Sequence, residues 1–318
     1  MAELRAVAAG PASPSRLRPL DPAIADVGRK AYKIVVKLAS GAVASGKHLR
    51  KLCEAGLALA DAGLIADAAS CFLALRKGDP GEPRAYYLLG ILTADHANHA
   101  KAIDLFDRAL TLSPQHPEVL AQKARSEMAL LRRESAVRSA DAAAALAPDD
   151  ALTLDTLGVV YSRAGLHDRS LEFYKRATAT APDVSAYHYN LGAALQFVGH
   201  MDEAREAYRR CLILDPGETR ALAAIVQITK QTEADNQIAE LKAVFPSVAH
   251  KADDALRVGH ALAKAYEDLN QPAEAMGWLA KAKSAKWAAV QHDAAFDDAI
   301  FDAAKATTHL PMMGGHTS

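Results

Sequence analysis

The chain contains 318 residues, half of them hydrophobic, and carries a formal net charge of −1. The near-neutral charge argues against a general nucleic-acid binder, which needs a basic face. No apolar run approaches the roughly 18 residues that cross a bilayer, and the N-terminus shows no apolar core of a signal peptide. Three cysteines without paired spacing are typical of a reducing compartment. We therefore expect a soluble cytoplasmic protein with no transmembrane segment and no nucleic-acid partner.

The N-terminal part is the basic part of the chain, with ten Lys/Arg and three Asp/Glu in residues 1–52. Residues 1–22 are rich in Pro, Ser and Ala without an apolar period, which predicts a disordered tail. Residues 23–48 show apolar side chains at helical spacing and are predicted to form a capping helix. Within them, Gly41–His48 matches the phosphate-binding pattern G-x-x-x-x-G-K, but His48 stands where Ser or Thr would hold magnesium. The segment "KIVVKL" before the motif could pass for the strand that precedes such a loop. No second strand follows to complete a sheet, so we favour an inter-helix turn over nucleotide binding.

Five prolines recur at a fixed interval through the centre of the chain: Pro80, Pro114, Pro148, Pro182 and Pro216. Neighbouring prolines are 34 residues apart, and a fixed period in this range is the signature of a stacked repeat. Counting each proline as position 32 of a unit predicts five contiguous units over residues 49–218. The proline ends a helix because it lacks the amide donor and clashes with the preceding turn.

Other positions of the unit repeat as well. Positions 8, 20 and 27 are mostly small, which lets two helix backbones approach closely, whereas large residues at positions 7 and 24 fill the space beside them. Position 15 carries Gly63, Gly165 and Gly199, and glycine supplies the left-handed conformation that ends a helix. Each unit is therefore predicted to be a helix–turn–helix hairpin. The third unit departs from the pattern with Lys123 at position 7 and Leu131 at position 15, but both neighbours set its phase.

These columns, above all "YNLGAALQFVGHMDEAREAYRRCLILDP" from Tyr189 to Pro216, resemble the tetratricopeptide repeat. The resemblance covers residues 49–218 and implies an all-α, right-handed superhelical solenoid stabilised by stacking of neighbouring hairpins. It implies six to seven hairpins in the whole chain. The function it implies is a non-catalytic scaffold that binds a protein or peptide partner on its concave face.

The pattern loosens beyond residue 218. Residues 219–255 suggest a degenerate helical repeat without the position-32 proline, and residues 256–287 a final repeat. Residues 288–318 are expected to form a short amphipathic helix and the start of a linker. Trp287, near the end of the final repeat, would allow self-association into a homo-oligomer through the terminal hairpin.

The part from Asp254 to the end resembles the junction in bacterial two-domain proteins that join tetratricopeptide repeats to a sulfotransferase. The resemblance rests on "ALAKAYEDLNQPAEAMGWLAKAKSAK" followed by "FDDAIFD". It implies an alternative function, the substrate-recruiting N-terminal half of an enzyme whose catalytic domain is absent from this chain. The phosphosulfate-binding loop of that family, G-x-P-R-[ST]-G-T, does not occur in the sequence. No catalytic residue and no cofactor is therefore assigned.

The candidate binding residues lie at the positions that build the concave face of such arrays, in the first helix of each unit. Arginine offers a planar fork for carboxylates, and tyrosine gives contact area at low entropic cost. The mixture favours an extended peptide, and the alternative is an ordinary solvated surface. The predicted peptide-binding residues are Arg84, Tyr87, Arg125, Asp155, Tyr189, Asn190, Gln196 and Phe197, with Arg50 and Arg163 on the same face.

Other sites are weaker. The clamp for a C-terminal carboxylate needs lysine at position 5, where the five units have Cys, Tyr, Ala, Asp and Tyr. His96 and His99 have no nearby cysteine or carboxylate ligands in the sequence, so we assign no metal. Cys53 and Cys71 are predicted to be buried thiols rather than a redox pair.

Overall fold

The computed structural model describes residues 22–39, 45–289, 298–299 and 302. The described residues contain fifteen long α-helices and no β-strand, which confirms the prediction of an all-α repeat solenoid. Two compact units are present, the first ending at His200 and the second beginning at Met201. No helix in the described ranges is long and apolar enough to cross a membrane.

The first unit is a series of antiparallel helical hairpins. Its first helix packs on the two that follow it, and the later helices pair in chain order. The helices are α1 (Pro22–Ala39), α2 (Gly46–Asp61), α3 (Ile65–Gly78), α4 (Pro83–Asp95), α5 (His99–Leu112), α6 (Pro117–Ala129), α7 (Arg133–Ala145), α8 (Ala151–Arg163), α9 (His167–Thr180) and α10 (Ser185–Phe197).

The residues on either side of the phosphate-loop motif lie in two α-helices. The segment "KIVVKL", which could have been a strand before the loop, belongs to α1. Ser45 caps α2 by accepting a hydrogen bond from the amide of His48, so Lys47 and His48 lie in the first turn of that helix. The predicted tail lies outside the described residues apart from Pro22, as do residues 41–44 of the motif. α2 begins at Gly46, three residues before the predicted start of the first repeat.

The five hairpins of the 34-residue repeat each turn through a residue in the left-handed conformation. The three predicted glycines have φ values of 75°, 75° and 88°. The turn at Gly165 is closed by hydrogen bonds from its own amide to the carbonyl of Ser162 and from Leu166 to Tyr161. Ala97 and Leu131 occupy the same position of their units with φ of 58° and 60°, although neither residue favours that conformation. The repeat position therefore imposes the conformation, and glycine relieves it where present.

The two helices of a hairpin approach closely where a small residue at position 8 meets position 24. A Cβ built on Gly90 would lie 2.4 Å from a ring carbon of Phe106, and one on Gly158 would lie 2.6 Å from Tyr174. The third hairpin uses Ala124 and Ala140 at these two positions, and both are fully buried. The space between the two helices is thus filled either by glycine at position 8 with an aromatic ring at position 24, or by alanine at both positions.

The third hairpin also replaces part of its apolar interior with a polar network. Glu127 is 4% exposed and accepts hydrogen bonds from the hydroxyls of Ser135 and Ser139, at 2.6 and 2.7 Å. The ammonium of Lys123, at the usual leucine position, lies 2.6 Å from Asp107 and 4.0 Å from Glu127. The departure seen in the sequence is compensated because each buried polar group has a partner.

The second unit consists of α11 (Met201–Leu214), α12 (Thr219–Ile228), α13 (Ile238–Val248), α14 (Ala252–Asp268) and α15 (Pro272–Ala289). The α12–α13 connection is anchored on α14, because the amide of Gln231 donates to Asp268 at 2.8 Å. α14 and α15 cross so closely that a Cβ on Gly259 would lie 2.3 Å from that of Ala282. Trp278 packs edge-on against Phe245. The predicted C-terminal helix lies outside the described residues apart from its helical positions 298, 299 and 302.

Candidate functional site

All eight predicted binding residues lie in the first unit, on the first helix of successive hairpins. These helices begin at well-defined points: Glu82 caps α4 through the amide of Arg84 at 3.1 Å, and Asp150 caps α8 through the amide of Thr153 at 2.8 Å. These side-chain caps satisfy free amides at the starts of the two helices, whereas α6 and α10 begin without a side-chain cap. The residues are distributed as Arg84 and Tyr87 on α4, Arg125 on α6, Asp155 on α8, and Tyr189, Asn190, Gln196 and Phe197 on α10.

Two of the predicted residues are in direct contact. The Asn190 side-chain amide donates a hydrogen bond of 2.8 Å to a carboxylate oxygen of Asp155. Burial raises the pKa of Asp155 to about 6, although the Asn190 hydrogen bond and the charge of Arg125 both favour the carboxylate. Desolvation therefore outweighs both favourable interactions at this carboxyl. The three side chains form the centre of the site, which we call the α6–α8–α10 cluster.

Arg125 extends the cluster toward α4. One terminal guanidinium nitrogen lies 3.6 Å from Asp95, and another donates to Gln122 at 3.3 Å. The Gln122 amide in turn lies 3.4 Å from the hydroxyl of Thr156 on α8. Gln122 and Thr156 were not selected from the sequence, although both occupy position 6, the position of Asn190. Their shared column was the signal that could have identified them.

The aromatic residues lie around this polar centre. Tyr87 lies near Phe106, with ring centroids 6.3 Å apart, and burial together with Glu118 and Asp150 raises its pKa to about 12. Tyr187, which sequence reasoning missed, is half-buried, and burial with the charges of Asp155 and Asp150 raises the pKa of its hydroxyl. Both rings therefore remain neutral hydrogen-bond donors at physiological pH.

The remaining four predicted residues lie on α4 and α10. Phe197 is 68% exposed and stacks on His167, with ring centroids 3.6 Å apart. Phe197 comes seven positions after Asn190, which places it roughly 10 Å further along α10. The Arg84 side chain is exposed and forms no hydrogen bond or salt bridge with the described residues. Tyr189 and Gln196 are half-buried on α10.

Comparison with known families identifies the repeats. Models of the tetratricopeptide repeat match residues 53–117 and residues 185–218. These two segments are tetratricopeptide repeats. The two matched segments include Tyr87 at one end of the predicted site and Asn190 at the other. The residues between them follow the same 34-residue phase.

The chain also resembles part of two curated proteins. Human protein O-mannosyl-transferase TMTC1 is 29% identical over 125 residues, which is 38% of this chain and 14% of that protein. The mouse protein of the same name is 28% identical over 132 residues, again 14% of its length. This chain therefore matches about a seventh of these curated relatives.

Two solved structures share the fold over most of the chain. The APC/C heterotetramer Cut9–Hcn1 matches with a TM-score of 0.54 at 18% identity, covering 80% of this chain and 46% of that one. Pseudomonas aeruginosa PilF matches with a TM-score of 0.51 at 16% identity, covering 72% and 96%. At these identities the likeness establishes a shared tetratricopeptide-repeat fold.

Proposed function

We propose that the first unit is a protein-interaction scaffold that binds an extended peptide segment across α4, α6, α8 and α10. The observation that carries the proposal is the α6–α8–α10 cluster. Three consecutive first helices each contribute one polar side chain, Arg125, Asp155 and Asn190, to the same small region. A site that spans several repeats suits a ligand that runs along the array, because each repeat then contributes one contact.

The chemistry of the cluster suits a peptide main chain. Asp155 accepts hydrogen bonds and Asn190 both donates and accepts, so together they match the amide and carbonyl groups of an extended backbone. Arg84 and Arg163 are exposed cations that form no salt bridge with described residues. They can therefore pair with carboxylates of a partner without first breaking an internal contact. Tyr87 and Tyr187 add aromatic surface beside the polar centre, as in many peptide-binding surfaces.

The test uses a random-peptide display library with the full chain as bait. Peptides enriched on the unchanged chain are synthesised, and their affinity is measured for a variant with Arg125→Glu and Tyr189→Ala. We expect the double change to weaken binding at least about tenfold, since it reverses one charge and removes one ring. Helical content measured by circular dichroism should stay unchanged.

A matched variant controls for the chemistry of the substitutions. Arg138→Glu with Tyr32→Ala makes the same two changes on α7 and α1, where both side chains are exposed. Binding should survive in this control. If the unchanged chain and both variants bind the peptides with equal affinity, the peptides do not bind at Arg125 and Tyr189, and the proposed surface is wrong. The relationship to sulfotransferases stays a prediction.

A further inference from the structure

A cavity of about 600 Å³ opens between α1 and α2, away from the α6–α8–α10 cluster. We call it the α1–α2 groove. Its floor is apolar, formed by Val27, Ile34 and Ala55, and its rim carries Lys30, Lys33 and Lys51. An apolar floor with a cationic rim fits a ligand that combines apolar side chains with negative charge.

The rim charges are largely available to a ligand. Lys30 lies 2.5 Å from Asp26 on its own helix. Lys33 and Lys51 are exposed and form no salt bridge with the residues that the structure describes. Glu54 is the one carboxylate among the lining residues. Residues 22–54 contain seven Lys/Arg against two Asp/Glu, so the surface around the groove is positive as well.

A segment of complementary chemistry occurs in the same chain. Residues 293–302 read "DAAFDDAIFD", with four aspartates, two phenylalanines, one isoleucine and no basic residue. We propose that this acidic segment of a second copy docks in the α1–α2 groove. Its phenylalanines and isoleucine cover the apolar floor, and its aspartates pair with the lysines of the rim. Burial of the large apolar side chains provides the affinity, and the charges select the partner and its orientation.

The arrangement connects different surfaces of the two copies. Docking between two copies makes association depend on protein concentration, whereas docking within one chain would leave the protein monomeric. Each copy offers one groove and one segment, so each contact joins unlike surfaces. Two copies that exchange their segments close a dimer, whereas one-way docking continues into a ring or an open chain. Association should therefore increase as the protein concentration rises, and it should weaken as salt screens the charges.

The experiment reverses the charges on each side of the interface in the full chain. One variant carries Lys33→Glu with Lys51→Glu, and the other carries Asp297→Lys with Asp298→Lys. Sedimentation velocity over a concentration series should show that each variant alone associates at least about tenfold more weakly than the unchanged chain. An equimolar mixture of the two should recover association, because every contact between unlike variants again joins opposite charges.

The recovery in the mixture also excludes misfolding as the cause of the loss. A matched control, Lys101→Glu with Lys175→Glu, makes the same charge change at exposed lysines of α5 and α9 and should associate normally. Three outcomes would overturn the proposal: a monomeric unchanged chain at every concentration, unaltered association of the two variants, or no recovery in the mixture. An equal loss in the control would also overturn it by showing a general effect of net charge.

Discussion

The contact between Gly158 and Tyr174 can be tested by adding a single methyl group. A Cβ on Gly158 would lie 2.6 Å from a ring carbon of Tyr174, whereas carbon atoms in contact are normally about 3.5–4.0 Å apart. The ring or the helix must therefore move by about 1 Å, and overpacking of this kind costs about 1–3 kcal/mol. Alanine in place of a helical glycine returns about 1 kcal/mol. We expect Gly158→Ala to lower the free energy of unfolding by about 1 kcal/mol net.

Two further measurements separate the opposing effects. In a Tyr174→Ala background the ring is gone, so Gly158→Ala should raise the free energy of unfolding by about 1 kcal/mol. Gly277 lies inside α15 with no atom within 4 Å of the added Cβ, so Gly277→Ala should stabilise the unchanged chain similarly. Urea unfolding followed by circular dichroism gives all three changes in the free energy of unfolding. If Gly158→Ala stabilises the unchanged chain as much as Gly277→Ala does, the ring does not cover Gly158 and the packing argument is wrong.

The remaining predictions concern one turn and one carboxyl group. Leu131 has φ of 60° with its side chain 89% exposed, so Leu131→Gly should stabilise the chain by about 1 kcal/mol in urea unfolding. The opposite change, Gly165→Leu, should destabilise it, and effects of the same sign would contradict the reasoning. The pKa of Asp155 is raised to about 6, above its value of about 4 in the unfolded chain, so folding favours the protonated form. The free energy of unfolding, taken relative to that of an Asp155→Asn variant, should therefore be greatest below about pH 4 and should fall as the pH rises from about 4 to about 6. An Asp155 pKa near 4, measured by NMR titration of the carboxyl carbon, would contradict this prediction.

Most of the fold could be predicted from the sequence because the same kinds of residue recur at the same positions of each 34-residue unit. The period of the prolines set the unit, and glycine at position 15 marked the turns. Ala97 and Leu131 show where residue type alone would have failed, since neither indicates a left-handed turn. Their conformation followed from the positions they share with Gly63 and Gly165, so the phase of the repeat carried information that the residues themselves lacked.

The candidate site was predicted less completely. Position in the repeat identified the helices, and the prediction included Asp155 and Asn190, which are in contact. It omitted Gln122 and Thr156, because a glutamine or a threonine carries no charge that singles it out in a sequence, and their shared position 6 with Asn190 was not used. The structure shows that both side chains are buried. The prediction also placed Phe197 in the same site as Asn190, although the two residues are roughly 10 Å apart along α10.

The sequence alone determined the unit length, the helical hairpin and the columns of residues that face one another, because these depend on local propensity and on a period written into the chain. Only the tertiary structure decided which side chains pair between neighbouring hairpins, such as Asn190 with Asp155. It also decided that Asp155 is desolvated enough for its pKa to rise to about 6. Pairing and desolvation depend on the distance between helices that are more than thirty residues apart in sequence, and that distance is set by how the small and large side chains between them pack.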